Sequence, residues 1–212
     1  MILFGISVSP FVRKVMMYAA EKGIVFDHRP VGPQSDDPLF LASSPLRKIP
    51  SLVDDDYMLA DSTAIVTYLE AKFPANPLIP VEPKARGKAI WFEEYADTVM
   101  FPQATIIFVN RVVLPKIRKA AGDYAKADEV EANNIPPLFA YLESVAPAQG
   151  FLVGDSVTIG DVAVTSVLVN LDHCGTRIDA AKHPKLAAYF ARMSSRPSIN
   201  GVIAAERQFL GL

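Results

Sequence analysis

The sequence predicts a mixed α/β domain followed by an all-α domain. Three observations carry this. The first third alternates short apolar, strand-like runs with helix-like stretches. PANPLIPVEP then places four prolines in ten residues, which fits neither a helix interior nor a central strand. Beyond it, every patterned stretch reads as helix.

Taken in order, MILFGI is a strand. Pro10 to Lys22 is a helix with proline in its first turn, where a missing N–H costs nothing, and Gly23 stops it. VFDHRPV alternates apolar and polar residues as a second strand, and VGPQSDDP is a loop. Leu39 to Ser43 is a short helix and SSPLRK a turn. IPSLVDDDYMLAD is a hairpin, with SLV and YML joined by the acidic turn Asp54 to Asp56. Asp61 or Ser62 opens the helix STAIVTYLEAKF, which ends before Pro74. The order β-α-β-(α)-β-β-α gives a small mixed sheet with helices on its faces. The expected domains are residues 1–76 and 84–212, joined by a linker at 77–83. Helices are expected over Lys84 to about Lys119, Lys126 to Val145, Ile159 to His173, Pro184 to Ser194 and Pro197 to Leu210. Pro102 and Pro115 are expected to kink or interrupt the first of these.

Half of the 212 residues are hydrophobic and about a fifth are charged, enough for a sizeable core. The formal net charge is −2, with both signs mixed along the chain, so neither a nucleic acid nor an anionic membrane surface is an expected partner. Apolar stretches such as FPQATIIFV fall short of the roughly 20 residues that span a bilayer. MILFGIS has no basic leader region, so no secretory signal is expected. One cysteine, Cys174, fits a reducing cytoplasm. No metal site is expected: His173 and Cys174 are adjacent and diverge on a helix, and Asp54 to Asp56 form a solvated turn.

Three corners carry candidate chemistry. In SVSPFVRKV, Ser9 stands directly before Pro10 at the helix start, while Ser7 ends the strand. A serine there is commonly an N-cap. Its hydroxyl can instead donate to an anion held at the helix end, where unpaired N–H groups carry partial positive charge. RKIPSLV places an X-Pro bond ahead of a strand, leaving Ile49 a backbone able to pair with an extended ligand. LADSTAI is a second helix start, either a simple cap or an anion site.

Together these corners resemble the cytosolic glutathione S-transferase family: SPFVRKV its active-site corner, KIPSLV its cis-proline loop and LADSTAIVTYL its acidic-serine turn. VGDSVTIGDVAV resembles the capping box and buried aspartate of its helical domain, with Thr158 as N-cap and Asp161 at N3. The resemblance spans essentially the whole chain. It implies a thioredoxin-like N-terminal domain, a helical C-terminal domain and a cis Ile49–Pro50 bond. It marks Ser9 as the residue at the thiol, as in serine-type members such as the tau and theta classes and many bacterial proteins. Tyrosine-type members would carry Tyr in the first strand, where this chain has Phe4, and cysteine-type members Cys near position 9.

The implied activity is glutathione transfer to small hydrophobic electrophiles, with glutathione as co-substrate and detoxification as the setting. Ser9 would donate to the sulfur and hold it as thiolate, needing no histidine base. Phe11, Lys48, Ile49, Pro50, Asp61 and Ser62 would bind glutathione. Ile49 would meet the cysteinyl unit and Asp61 and Ser62 the γ-glutamyl end. Lys48 either reaches the glycyl carboxylate or is a solvated turn lysine. Arg13 reads as a structural or dimer-facing charge rather than a catalytic one. The electrophile pocket would draw on Phe101, Phe108 and Arg111, which share roughly one helix face. Core packing is the plainer reading of the two phenylalanines. Arg111 needs either an acid such as Asp97 or an anionic substrate group. The resemblance also implies a homodimer. Alternatives on the same site are a glutathione-dependent peroxidase, isomerase or dehalogenase, and from another class a non-catalytic scaffold for a protein partner.

Overall fold

The structure, a computed structural model, describes residues 1–212. The chain divides into two compact units, Met1–Leu78 and Ile79–Leu212.

The first unit runs β1 (Ile2–Phe4), α1 (Pro10–Glu21), β2 (Asp27–Arg29), α2 (Pro38–Ser43), β3 (Ser51–Asp54), β4 (Tyr57–Ala60) and α3 (Ser62–Lys72). The sheet order is β2-β1-β3-β4, with β1 parallel to β2 and antiparallel to β3. The second strand is shorter than the alternation of residues 25–31 suggests, because its partner β1 offers only three residues to pair. In register, Leu3 faces Leu52 and Ile2 faces Val53. Side chains alternate between the faces of a strand. Phe4 and Val53 therefore meet Phe40 of α2 on one face, the Phe4 and Phe40 rings 5.9 Å apart. Leu3 and Leu52, also fully buried, point to the other. Helices α1 and α3 pack together through apolar faces that include Val12, Val15, Ile65 and Leu69. Their far ends are tied by Glu70, which accepts from the Tyr18 hydroxyl and pairs with Lys22 Nζ at 2.8 Å.

Gly5 makes the turn out of β1 with φ +136°, a conformation that L side chains rarely adopt. A Cβ there would stand 2.5 Å from Val12 Cγ2 and 3.2 Å from Ile49 Cβ. The glycine thus lets α1 and the Ile49 loop close on the strand end. Gly5→Ala is expected to cost about 2–4 kcal/mol in urea denaturation, from crowding and backbone strain together.

The second unit begins with one long helix, Pro83–Ile117. Pro83 starts α4 (Pro83–Glu94), with both Glu82 carboxylate oxygens capping the N–H groups of Lys84 and Ala85. A π-wound segment (Tyr95–Met100) leads into α5 (Phe101–Phe108), and a second π-wound segment (Val109–Ile117) follows. Pro102 and Pro115 do not break the helix. Wide turns flank Pro102 and contain Pro115, which lets the chain pass a residue with no N–H to donate. This helix includes an 18-residue window of mean hydropathy 1.3, long and apolar enough by composition to cross a membrane, contrary to the expectation from its shorter runs. Its Ala89, Phe92, Ala96, Met100, Ala104 and Ile107 recur every three or four residues and are buried, and the helix packs along α8 (Ile159–His173). These six form a core stripe, while Phe101, Ile106, Val109, Val113 and Leu114 of the same helix are only half-buried.

Lys126 to Val145 is two helices rather than one: α6 (Tyr124–Asn133) and α7 (Ile135–Val145). Pro136 and Pro137 lack the N–H groups a continuous helix would need, so the chain restarts at Asn134 with proline in the new first turn. Helix α8 is buried along almost its whole length and is the axis of this unit. It starts close against α4, since a Cβ on Gly160 would lie 2.8 Å from Phe92 Cβ and 2.9 Å from the Ala89 carbonyl. Thr158 and Asp161 form the expected capping box, and α9 (Pro184–Ser194) and α10 (Pro197–Leu210) complete the unit.

Candidate active site

A cavity of about 580 Å³ lies in the first unit. Its wall brings together all six residues expected to hold glutathione: Phe11, Lys48, Ile49, Pro50, Asp61 and Ser62. Three separate elements deliver them, namely the start of α1, the loop entering β3, and the β4–α3 corner. Ser44, Pro45, Leu46 and Ala60 complete the lining.

Ser9 is not among the lining residues. It occupies the N-cap of α1, two residues before Phe11, and is half-buried. Its backbone has extended geometry (φ −69°, ψ 125°) and its carbonyl accepts from Arg13 N–H at 2.9 Å. Its side chain makes no capping hydrogen bond. Pro10 at the first helical position has no N–H to cap, so one of the helix's orphan donors is absent at the outset. The hydroxyl stands at a helix N-terminus without serving the helix.

The Ile49–Pro50 peptide bond is cis, as the resemblance implies. Lys48 is exposed, while its backbone is fastened to Ser44: Lys48 N–H donates to Ser44 Oγ at 2.9 Å, and that hydroxyl donates to the Lys48 carbonyl at 2.7 Å.

At the third element Asp61 caps α3, its Oδ1 accepting from Thr63 N–H at 2.9 Å and Ala64 N–H at 3.0 Å. The cap bonds fall on one oxygen, so the carboxylate is both a helix cap and part of the cavity wall. Asp61 holds φ +85°, a strained conformation for a residue with a side chain and of a kind that gathers at ligand sites. Ser62 beside it is 3% exposed. Lys14, wholly inside the fold, donates to Thr63 Oγ1 at 3.3 Å and stands 5.8 Å from the Phe11 ring centre, linking the two helix starts. Arg13 is also fully buried.

The three residues expected at the electrophile pocket belong to the second unit. Phe108 is 5% exposed and Phe101 half-buried. Arg111 does not take Asp97 as its acid. It pairs with Asp128 at 2.6 Å and with Glu131, both on α6, and donates to the Cys174 carbonyl and Thr176 hydroxyl at 3.4 Å. Two carboxylates counter its charge, which fits a structural brace better than a receptor for an anionic substrate. Burial pushes the Cys174 thiol up to about 12, so it stays protonated and inert at neutral pH.

The sequence reading missed Ser44 and Lys14. Ser44 lies in SSPLRK, which by composition reads as a turn and gives no sign which hydroxyl points inward. Lys14 sits three residues after Phe11, a spacing that places both on one side of α1.

Comparison with known proteins extends this pattern over both units. The family model described as Glutathione S-transferase, N-terminal domain matches residues 3–77, and that described as Glutathione S-transferase, C-terminal domain matches residues 113–206. A glutathione S-transferase of Triticum aestivum is 38% identical over 191 residues, covering 88% of this chain and 84% of that protein. A stringent starvation protein A homolog of Haemophilus ducreyi is 26% identical over 200 residues, covering 94% of this chain and 88% of that protein. A glutathione S-transferase of Methylobacterium radiotolerans, solved in complex with glutathione sulfonate, superposes with a TM-score of 0.76 at 26% identity, covering 95% of this chain and 93% of that one.

Proposed function

Since the chain belongs to the glutathione S-transferase family and is a glutathione-using enzyme, we propose that it activates the glutathione thiol as a thiolate through Ser9, for attack on small hydrophobic electrophiles. The observation that carries this is the Ser9 hydroxyl, held at the N-terminus of α1 and unused by the helix. Free thiols titrate near pH 8.5, so glutathione is mostly protonated at neutral pH. A drop of one to two pKa units takes about 1.4–2.7 kcal/mol of preference for the anion. One hydrogen bond to an anion plus a helix terminus supplies that much. Ser9 acts as a donor, and the proton leaves to solvent.

In this reading Asp61 and Ser62 hold the γ-glutamyl end, the Ile49 backbone the cysteinyl unit, and Lys48 the glycyl carboxylate. The inert Cys174 leaves glutathione as the working thiol, and a single free cysteine suits the cytoplasm. The test is calorimetric titration with glutathione followed by a panel of aryl halides, enones and hydroperoxides. Glutathione binding together with conjugation supports the proposal. Binding with peroxide turnover alone moves the protein to the peroxidase alternative, and no binding favours the scaffold reading.

We also propose a homodimer. Strand β4 is the sheet edge and exposes Tyr57 and Met58, apolar surface suited to cover by a second copy. Light scattering is expected to give twice the chain mass, and Met58→Lys to shift it toward the monomer.

A further inference from the structure

We propose that Ser44 is a positioning residue for glutathione, acting through the backbone of Lys48. This rests on the reading of the first-unit cavity as the glutathione site. Ser44 is fully buried, and its hydroxyl spends both its donor and its acceptor on one residue. It accepts from Lys48 N–H and donates to the Lys48 carbonyl, closing residues 44–48 into a clip. Within that clip Arg47 holds φ +54°, a left-handed conformation that persists only where its surroundings enforce it. Ser44, Lys48 and Ile49 all line the cavity.

A second hydroxyl pair holds the other end of the same loop. Ser43 Oγ and Ser51 Oγ lie 2.9 Å apart in the interior and join the end of α2 to β3, just past Pro50. The two serines therefore divide the work. Ser43 anchors the strand entry, and Ser44 sets where Lys48 and the peptide of Ile49 stand. The Lys48 side chain is exposed, so the backbone clip limits the space its ammonium samples. Ser9 lies on a different element, so loosening the clip weakens the grip on glutathione while leaving thiol activation intact.

The experiment is steady-state conjugation by the full chain with glutathione varied against a fixed aryl halide. Ser44→Ala is expected to raise the glutathione KM about tenfold and to leave kcat within about twofold, the mark of lost uniform binding. Ser44→Thr keeps the hydroxyl and is expected to bring KM back to within about threefold of wild type. Ser43→Ala, which removes the neighbouring pair and leaves the clip alone, is expected to move KM less than about twofold. If Ser44→Ala fails to fold, Ser44→Cys, nearly isosteric with a weaker donor, is expected to show the same KM rise at reduced size. A wild-type KM in Ser44→Ala overturns the proposal, as does a fall confined to kcat or an equal rise in Ser43→Ala. Failure of wild type to bind glutathione at all is seen before any variant is made, and overturns the reading of the cavity itself.

Discussion

Ser9→Ala is expected to lower turnover at neutral pH by about 10- to 30-fold while leaving thermal stability unchanged. The rate arithmetic follows from the thiol: at a pKa near 8.5 only about 3% of glutathione is thiolate at pH 7, against about half at a pKa of 7. The stability expectation follows from the cap. A serine that bonds the helix N–H groups costs about 1 kcal/mol when truncated to alanine. The Ser9 side chain makes no such bond, so its loss should fall within about 0.5 kcal/mol. The deficit should also shrink as pH rises past the free thiol pKa, because glutathione then ionises unaided. Pre-steady-state conjugation across pH, paired with calorimetry of both proteins, checks all three expectations. A variant that loses stability and keeps its rate would make Ser9 an ordinary cap.

Asp161→Ala is expected to destabilise the protein by about 3–5 kcal/mol, because it orphans several buried donors at once. The carboxylate accepts from Thr158 N–H and the Thr158 hydroxyl at 2.9 Å, from Leu152 N–H at 2.8 Å and from the Tyr189 hydroxyl at 2.9 Å. It thereby fastens the start of α8, the segment before it and α9 at one point. Burial raises the Asp161 carboxyl above the usual range, and the four donors pull against that shift. Asp161→Asn keeps one acceptor oxygen and should cost about 1–2 kcal/mol. Urea denaturation separates the two variants. An alanine variant within 1 kcal/mol of wild type would show that the neighbours find other partners.

The parts of the fold legible in the sequence are those with punctuation. Pro184 and Pro197 open α9 and α10 as first-turn prolines, and Thr158 with Asp161 announces α8. Proline also misled, because the residue says that an N–H is missing without saying how the chain responds. At Pro136 and Pro137 it restarts the helix, whereas Pro102 and Pro115 are accommodated by wide turns. Neighbouring packing decides between these outcomes, and sequence does not display it. The residues lining the first-unit cavity were legible because three short motifs each mark a chain corner, and the fold brings those corners together. Ser44 was not, since its role depends on a hydroxyl pointing inward. Arg111 shows the same limit: its need for an acid was readable, but Asp128 and Glu131 reach it only once α6 folds back onto the long helix.

The central claim is that the α1 corner holds a sulfur anion. It is tested most directly by titrating protein-bound glutathione with pH and following thiolate ultraviolet absorbance in wild type and Ser9→Ala. The account predicts a bound thiol pKa about one to two units below the free value in wild type, with most of that shift lost in the variant. A bound thiol that titrates like free glutathione in wild type, or a shift that survives Ser9→Ala, would contradict it.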